Sequence, residues 1–265
     1  MSLKQTYGSR ALIAGASEGL GAAFARYLAA AGMDLVLIAR RKEPLDQLAA
    51  ELTSAYSVNV QNIICDLSDQ DAASQISASL QGQEINMLVY NAALAYIGKF
   101  EDNDPEYYQK MAQANMVTPM NLLHLLGKPM LEKGRGACIM MASLAGFQGS
   151  GFLATYAASK AFDRILAESL WYEWKNRGVD VIACCAGATA TPNYVNSNPG
   201  KTSPFAPKVQ SPEAVVKECF SHLGKRPSFT SGRGNKIATF FMQNLLPRKM
   251  AINIMGDTAR QMYGL

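Results

Sequence analysis

The sequence predicts an α/β fold, a doubly wound parallel sheet of about seven strands with helices on both faces. Three observations carry this. Short apolar runs alternate strictly with amphipathic helical stretches along the chain. The runs are continuously apolar rather than alternating, so both faces of the sheet are covered. A glycine-rich turn, Gly15-Ala-Ser-Glu-Gly19-Leu-Gly21, joins the first run directly to the first helical stretch.

Taken in order, Arg10 to Ala14 reads as the first strand and Leu20 to Ala31 as the first helix. Leu35 to Ala39 and Val60 to Cys65 follow as strands, with Pro44 to Ser54 helical between them. Ser68-Asp-Gln-Asp71 has the form of a capping box, which opens a helix over Asp69 to Leu80. Met87 to Tyr90 is the fourth strand, and Pro105, suited to a first helical position, starts one long helix to Glu132. Ala137 to Met141 and Val179 to Cys184 are strands flanking a helix over Leu153 to Asn176. The rhythm then changes. Thr191 to Pro212 holds five prolines at 192, 199, 204, 207 and 212, and a loop of that length is usually a lid or disordered. A helix near Glu213 to Leu223 and a short strand near Phe229 come next. The Met-rich tail, Ile237 to Met255, reads as a packed helix pair broken at Pro247, or as an oligomer or lipid-facing surface.

A chain of 265 residues with 49% apolar content can bury one large core, so a single domain over 1–265 is expected, with a substrate loop near 191–212 and a helical tail near 235–262. Charge is mild at +4, and the densest basic patch (Lys225, Arg226, Arg233, Lys236) lies in a Gly/Pro/Ser-rich stretch. That reads as a solvated loop and argues against a nucleic-acid footprint. The uncharged span between Arg135 and Lys160 is long enough to cross a bilayer. Gly146, Gly149 and Gly151 interrupt it, however, so a strand, a loop and a helix start explain it better than a membrane span. The first ten residues are too polar for a secretory signal. Five cysteines, an odd number with no C-x-x-C, fit a reducing cytoplasm. With only His124 and His222, a histidine triad or a zinc site has little to build from, and no metal is expected.

Chemistry enters at Tyr156 and Lys160. Positions i and i+4 share a helix face, so the phenol and the ammonium point the same way. A free tyrosine titrates near ~10, so proton exchange near neutrality needs roughly 4 kcal/mol of selective help for its phenolate. One ammonium about 4 Å away supplies that amount at a surface-like dielectric. A Tyr-x-x-x-Lys arises by chance about every other time in a chain of ordinary composition, so its partners matter. Gly15 follows a strand and Leu20 opens a helix, a placement that brings backbone up to a pyrophosphate at the helix N-terminus. The second strand ends Ala39-Arg40-Arg41, where a carboxylate would bind a ribose 2′-hydroxyl. Two guanidiniums there suit a 2′-phosphate, or are simply solvated strand-end arginines.

With these motifs in place, the chain resembles the short-chain dehydrogenase/reductase family in its short, single-domain form, over roughly residues 8 to 195. The family's glycine motif is matched by Ala14-Gly15-Ala-Ser-Glu-Gly19-Leu-Gly21, and its Asn-Asn-Ala-Gly motif by Tyr90-Asn91-Ala92-Ala93. Asn115, Ser143, Tyr156 and Lys160 match the family's asparagine, serine and Tyr-x-x-x-Lys, and Ala186-Gly187-Ala-Thr189-Ala-Thr191 its motif after the sixth strand. Ala14, Ala93 and Ala186 replace a threonine, a glycine and a proline, changes to the binding loops that remove no proton-transfer group.

The resemblance implies a Rossmann-like fold and a cofactor site formed by Gly15, Ser17, Glu18, Gly19, Leu20, Gly21, Arg40, Arg41, Asp66, Leu67, Asn91, Ala92, Ala93, Gly187, Thr189 and Thr191. NADP(H) is expected over NAD(H). Tyr156 would give a proton to the carbonyl oxygen or remove it from the alcohol, with Ser143 bonding that oxygen. Lys160 would lower the tyrosine pKa and hold the nicotinamide ribose, and Asn115 would order a relay water. Other readings stay open for three of these: Ser143 as a strand-end hydroxyl, Asn115 as a polar residue inside a helix, and Asp66 as a local cap rather than an adenine contact. The expected activity is hydride transfer to a carbonyl, or from a secondary alcohol, on a hydrophobic or acyl-type substrate. The resemblance also implies a homodimer or homotetramer. Two other readings are a non-catalytic NADP-binding sensor, which would be expected to lose the tyrosine or lysine, and an epimerase or dehydratase of the family's longer form.

Overall fold

The computed structural model describes residues 2–197 and 208–265. A short helix α1 (Leu3–Tyr7) leads into β1 (Arg10–Ala14), α2 (Gly19–Ala30), β2 (Asp34–Ala39), α3 (Lys42–Tyr56), β3 (Val60–Ile64), α4 (Ala72–Leu80) and β4 (Met87–Tyr90). The second half runs α5 (Pro105–Ala112), a π turn (Gln113–Val117), α6 (Thr118–Lys133), β5 (Gly136–Ser143), a 3-10 turn (Leu144–Phe147), α7 (Ala154–Trp174) and β6 (Val179–Ala186). Then come α8 (Pro192–Asn196), α9 (Pro212–His222), β7 (Ser228–Thr230), α10 (Arg233–Asn244) and α11 (Arg248–Tyr263).

The seven strands form one parallel sheet in the order β3-β2-β1-β4-β5-β6-β7. The continuous apolar character of the strands is explained by two cores. Ala11 and Ile13 of β1 face helices α2, α3 and α9 through Phe24, Leu28, Leu52 and Val215. Leu12 and Ala14 face α4, α6 and α7 through Ile76, Leu122, Ala167 and Trp174. Each Leu- or Phe-sized side chain so buried contributes about 1.5–3 kcal/mol. All five cysteines are free and buried. The chain reverses direction across the sheet between β1 and β4, so a crevice opens there at the strand C-termini.

Two local expectations fail. The stretch from Pro105 to Glu132 is not one regular helix: it divides at the π turn around Asn115. Pro119 supplies the reason, because with no N–H it cannot donate to the Asn115 carbonyl four residues back. Nor does Ser68 open a capping box. Its backbone N–H and its hydroxyl both donate to Asp66 Oδ1, at 2.9 and 2.7 Å, and α4 starts only at Ala72, behind Asp71. Strand ends shift by one or two residues, most at β5 and β6, which run on to Ser143 and Ala186.

In the Pro-rich stretch Thr191 caps α8, while 198–207 lie outside the described residues. The tail forms the helix pair α10 and α11, with Ala251, Thr258, Ala259 and Met262 buried and Ile237, Phe240, Phe241 and Leu245 exposed. Among the described residues no helix is long and apolar enough to cross a membrane.

Candidate active site

The crevice is a cleft of about 940 Å³, and every expected site residue lines it except Gly21 and Asn115. Its dinucleotide side is built by backbone. Gly15 holds φ +79°, and a Cβ there would lie 2.8 Å from the Ala92 backbone. Gly21 packs the first turn of α2 against Gly15, so tightly that a Cβ would sit 1.9 Å from the Gly15 carbonyl oxygen. Asn91 closes the turn from β4, its side-chain amide donating to that same oxygen at 2.9 Å. Glu18 stands at the N-cap of α2 but makes no side-chain cap bond, because its carboxylate pairs with Arg41 instead. The first N–H groups of α2 therefore keep their capacity to bind an anion.

At the rim, Arg40 stands 3.8 Å from Asp66, and both arginine side chains are more than half exposed. Exposed pairs of this kind are worth about 0–1 kcal/mol, so a phosphate can displace the carboxylates. Burial opposes ionisation of Asp66, but the bonds from Ser68 and the nearby Arg40 outweigh it and hold the carboxyl below its usual range. Asp66 thus anchors the local turn through Ser68 and also lines the cleft. Leu67, Ala92, Ala93, Gly187, Thr189 and Thr191 complete this side of the cleft.

The reactive side depends on α7. Ser143 ends β5, and its Oγ accepts from the Ala145 N–H at 3.2 Å, starting the 3-10 turn. Gly146 in that turn lies directly on the backbone of Lys160, which fixes Ser143 relative to the tyrosine and lysine. Lys160 Nζ stands 5.9 Å from the centre of the Tyr156 ring. The ammonium is buried and donates to the Met141 carbonyl at 2.7 Å and to Asp163 Oδ2 at 2.9 Å. Burial works against its charge, yet Asp163 and the Tyr156 phenol outweigh that and raise the lysine above its ordinary range. Burial pushes the Asp163 carboxyl up, with Lys160 opposing.

Asn115 is not among the residues that line the cleft. It is fully buried behind the cleft, where its amide donates to the Leu94 carbonyl and to Ser159 Oγ while Oδ1 accepts from the Leu94 N–H. Its side chain clamps the segment after β4 to α7.

Sequence reasoning missed two groups. Asp163 stands seven residues after Tyr156 and three after Lys160, a spacing that puts it on their helix face. The other is a wall of the cleft. Met255, Thr258, Ala259, Met262 and Tyr263 of α11 line the cleft together with Leu94, Ile97, Tyr107 and Leu153. The Met-rich composition of the tail was its only trace in the sequence.

A phosphate-ready glycine turn and a Ser-Tyr-Lys cluster on one parallel-sheet crevice define a nucleotide-dependent oxidoreductase. The comparisons give the family. A model described as short chain dehydrogenase matches residues 9–202, and the chain belongs to that family, whose members act on CH–OH and C=O groups. A 7beta-hydroxysteroid dehydrogenase of Clostridium sardiniense is 34% identical over 236 residues, 89% of this chain and 90% of that one. A very-long-chain 3-oxoacyl-CoA reductase of Anas platyrhynchos is 31% identical over 265 residues, 96% of this chain and 81% of that one. Among solved structures, one from a study of 7beta-hydroxysteroid dehydrogenase stereoselectivity has a TM-score of 0.90 at 32% identity, covering 96% of this chain and 99% of that one. A short-chain dehydrogenase from Sphingobium yanoikuyae in complex with NADPH has a TM-score of 0.75 at 28% identity, covering 84% and 87%.

Proposed function

We propose that this oxidoreductase moves hydride between NADP(H) and a carbonyl or secondary alcohol carried on a bulky apolar molecule, with Tyr156 as the general acid/base. The observation that carries the reading is that Tyr156, Lys160 and Ser143 line the same cleft as the glycine turn and Arg40-Arg41. These residues fit NADP(H): the uncapped α2 N-terminus suits a pyrophosphate, and the two arginines suit a 2′-phosphate where no carboxylate ends β2. When bound, the nicotinamide supplies or accepts the hydride.

The chain's own residues handle the proton. Tyr156 gives it from its hydroxyl to the substrate oxygen in reduction, and its deprotonated oxygen accepts it from the alcohol in oxidation. Ser143 Oγ donates to that oxygen as charge develops on it. Lys160 keeps a positive charge beside the phenol ring.

A bulky apolar substrate is supported by the α11 wall of Met255, Ala259 and Met262, which lines the cleft together with Leu94 and Ile97. Two relatives named above are described as acting on a hydroxysteroid and a very-long-chain 3-oxoacyl thioester, both bulky and apolar. The test is consumption of reduced nicotinamide across a panel of steroid ketones, long-chain 3-oxoacyl thioesters and small polar ketones. Turnover confined to the bulky apolar members is expected. Tight NADP(H) binding with no turnover on any of them would point to a sensor instead.

A further inference from the structure

We infer that Asp163 is a positioning residue for Lys160: its carboxylate keeps the buried ammonium charged and aimed into the cleft, and so sets the pH range over which the tyrosine–lysine pair works. The inference rests on the reading of Tyr156 and Lys160 as the proton-transfer pair.

The geometry is that of a committed pair. The Lys160 and Asp163 side chains are 4% and 1% exposed, with 2.9 Å between Nζ and Oδ2. An ammonium has three N–H donors. Two are taken, by Asp163 and the Met141 carbonyl, which leaves one for a ligand in the cleft that Lys160 lines. A lysine this deep without a counter-charge sheds its proton readily, because burying a lone charge costs more than neutralising it.

Other titratable groups face the pair without replacing Asp163. Cys185 on β6 is pushed up to about 12 by burial and stays a neutral thiol. Tyr90 on β4 is raised by burial and by Asp163 itself, and donates its proton to the Ala114 carbonyl. Arg164 lies over the Phe147 ring at 4.5 Å and pairs with Glu168 at 3.5 Å. Among the described residues, Asp163 is the one carboxylate within ion-pair distance of Lys160.

A second observation separates this acid from an ordinary structural one. Among the described residues, Asp163 Oδ1 is buried with no hydrogen-bond partner. Most buried polar atoms have a partner, and a half-satisfied buried carboxylate calls for an explanation. Keeping Lys160 charged supplies it.

The sign follows from the opposing causes at Lys160. Burial lowers its affinity for a proton, and Asp163 raises it through charge and hydrogen bond. Without Asp163 burial dominates, so the ammonium is lost as pH rises through a range where the native protein keeps it. Asp163→Asn keeps the shape and removes the charge. Its kcat/KM for alcohol oxidation is expected to gain a descending alkaline limb absent from the native profile, with about tenfold loss per pH unit beyond it.

The nitrogen-15 signal of Lys160 Nζ in the cofactor-free protein, assigned by its disappearance in Lys160→Arg, gives an independent readout. It should titrate at lower pH in Asp163→Asn. A folded Asp163→Asn protein with both the profile shape and the Lys160 titration unchanged overturns the inference, and so does a uniform loss of rate at every pH. If the variant does not fold, the native signal decides. Titration above the range of the exposed lysines upholds the inference, and titration within or below it overturns it. Failure of the acid/base reading would appear elsewhere, as near-normal turnover in Tyr156→Phe, and would leave the Lys160 titration unaffected.

Discussion

Gly146 lies so close to Lys160 that a Cβ on the glycine would stand 2.6 Å from the lysine carbonyl carbon. The neighbouring atoms are all backbone, of Lys160 and Ala161, and backbone inside a helix cannot swing aside. The 3-10 turn and α7 are therefore held at the closest spacing two main chains allow. Ser143 hangs from one side of that contact, Tyr156 and Lys160 from the other.

Gly146→Ala should separate those side chains by a few tenths of an ångström or more. Misplacement of about 1 Å costs roughly 10²-fold in rate, so a loss of 10- to 100-fold in kcat is expected, with the affinity for cofactor little changed. Steady-state kinetics beside calorimetric titration of cofactor checks it. Full activity in the alanine variant would show that the close contact does not govern the reaction geometry.

Tyr156→Phe keeps the ring and removes only the proton-bearing oxygen. General acid/base catalysis is worth about 10²–10⁴-fold, and a loss of that size or more is expected with cofactor binding retained. Lys160→Met should lose both activity and cofactor affinity, because the same ammonium serves the phenol and the cleft, and because it strands Asp163 as a lone buried charge. The mechanism would not survive near-normal turnover in a verified Tyr156→Phe protein.

Arg40 reaches only a distant, exposed partner in Asp66, so its guanidinium is available for a phosphate. Arg40→Asp should invert the cofactor preference by placing like charge beside the 2′-phosphate. A hydrogen bond to a charged group is worth about 1.5–3 kcal/mol, so NADP(H) affinity should fall roughly 10- to 150-fold while NAD(H) affinity falls little. Equal affinity of the native protein for both cofactors by calorimetry would remove this assignment.

Met120 and Leu125 on α6 and Ile165 and Tyr172 on α7 are exposed large apolar side chains, a surface suited to a second copy of the chain. A homodimer or homotetramer at micromolar concentration is the expected result by light scattering. Charged replacements at Ile165 and Tyr172 should shift it toward monomer, and a monomeric native protein would dismiss the claim.

Much of this architecture was legible because its causes are local. Continuous apolar runs could belong only to strands covered on both faces, and the Gly15-to-Gly21 turn announced the crevice by following one of them. Three features escaped for different reasons. The π turn at Asn115 had a visible cause in Pro119, but an expectation of one long helix absorbed it. Asp163 reads as a surface charge unless its spacing from Tyr156 and Lys160 is counted along the helix face. The α11 wall is separated from Tyr156 by about a hundred residues, and nothing local in Met255 or Met262 says which surface they meet. Long-range closure of a cleft is a property of the assembled chain.

The five buried cysteines give the protein an internal clock. Cys138 and Cys185 are held as thiols by burial, pushed up to about 12, and they lie on central strands of the sheet. A thiolate-selective reagent can reach them only when the strands part, so their labelling times how often the sheet opens. Cys65 differs, for it borders the cleft at the end of β3, and burial with the nearby Asp69 raises it only to about 11. One thiol therefore reports whether the crevice is filled, while those in the sheet count the openings of the fold around it.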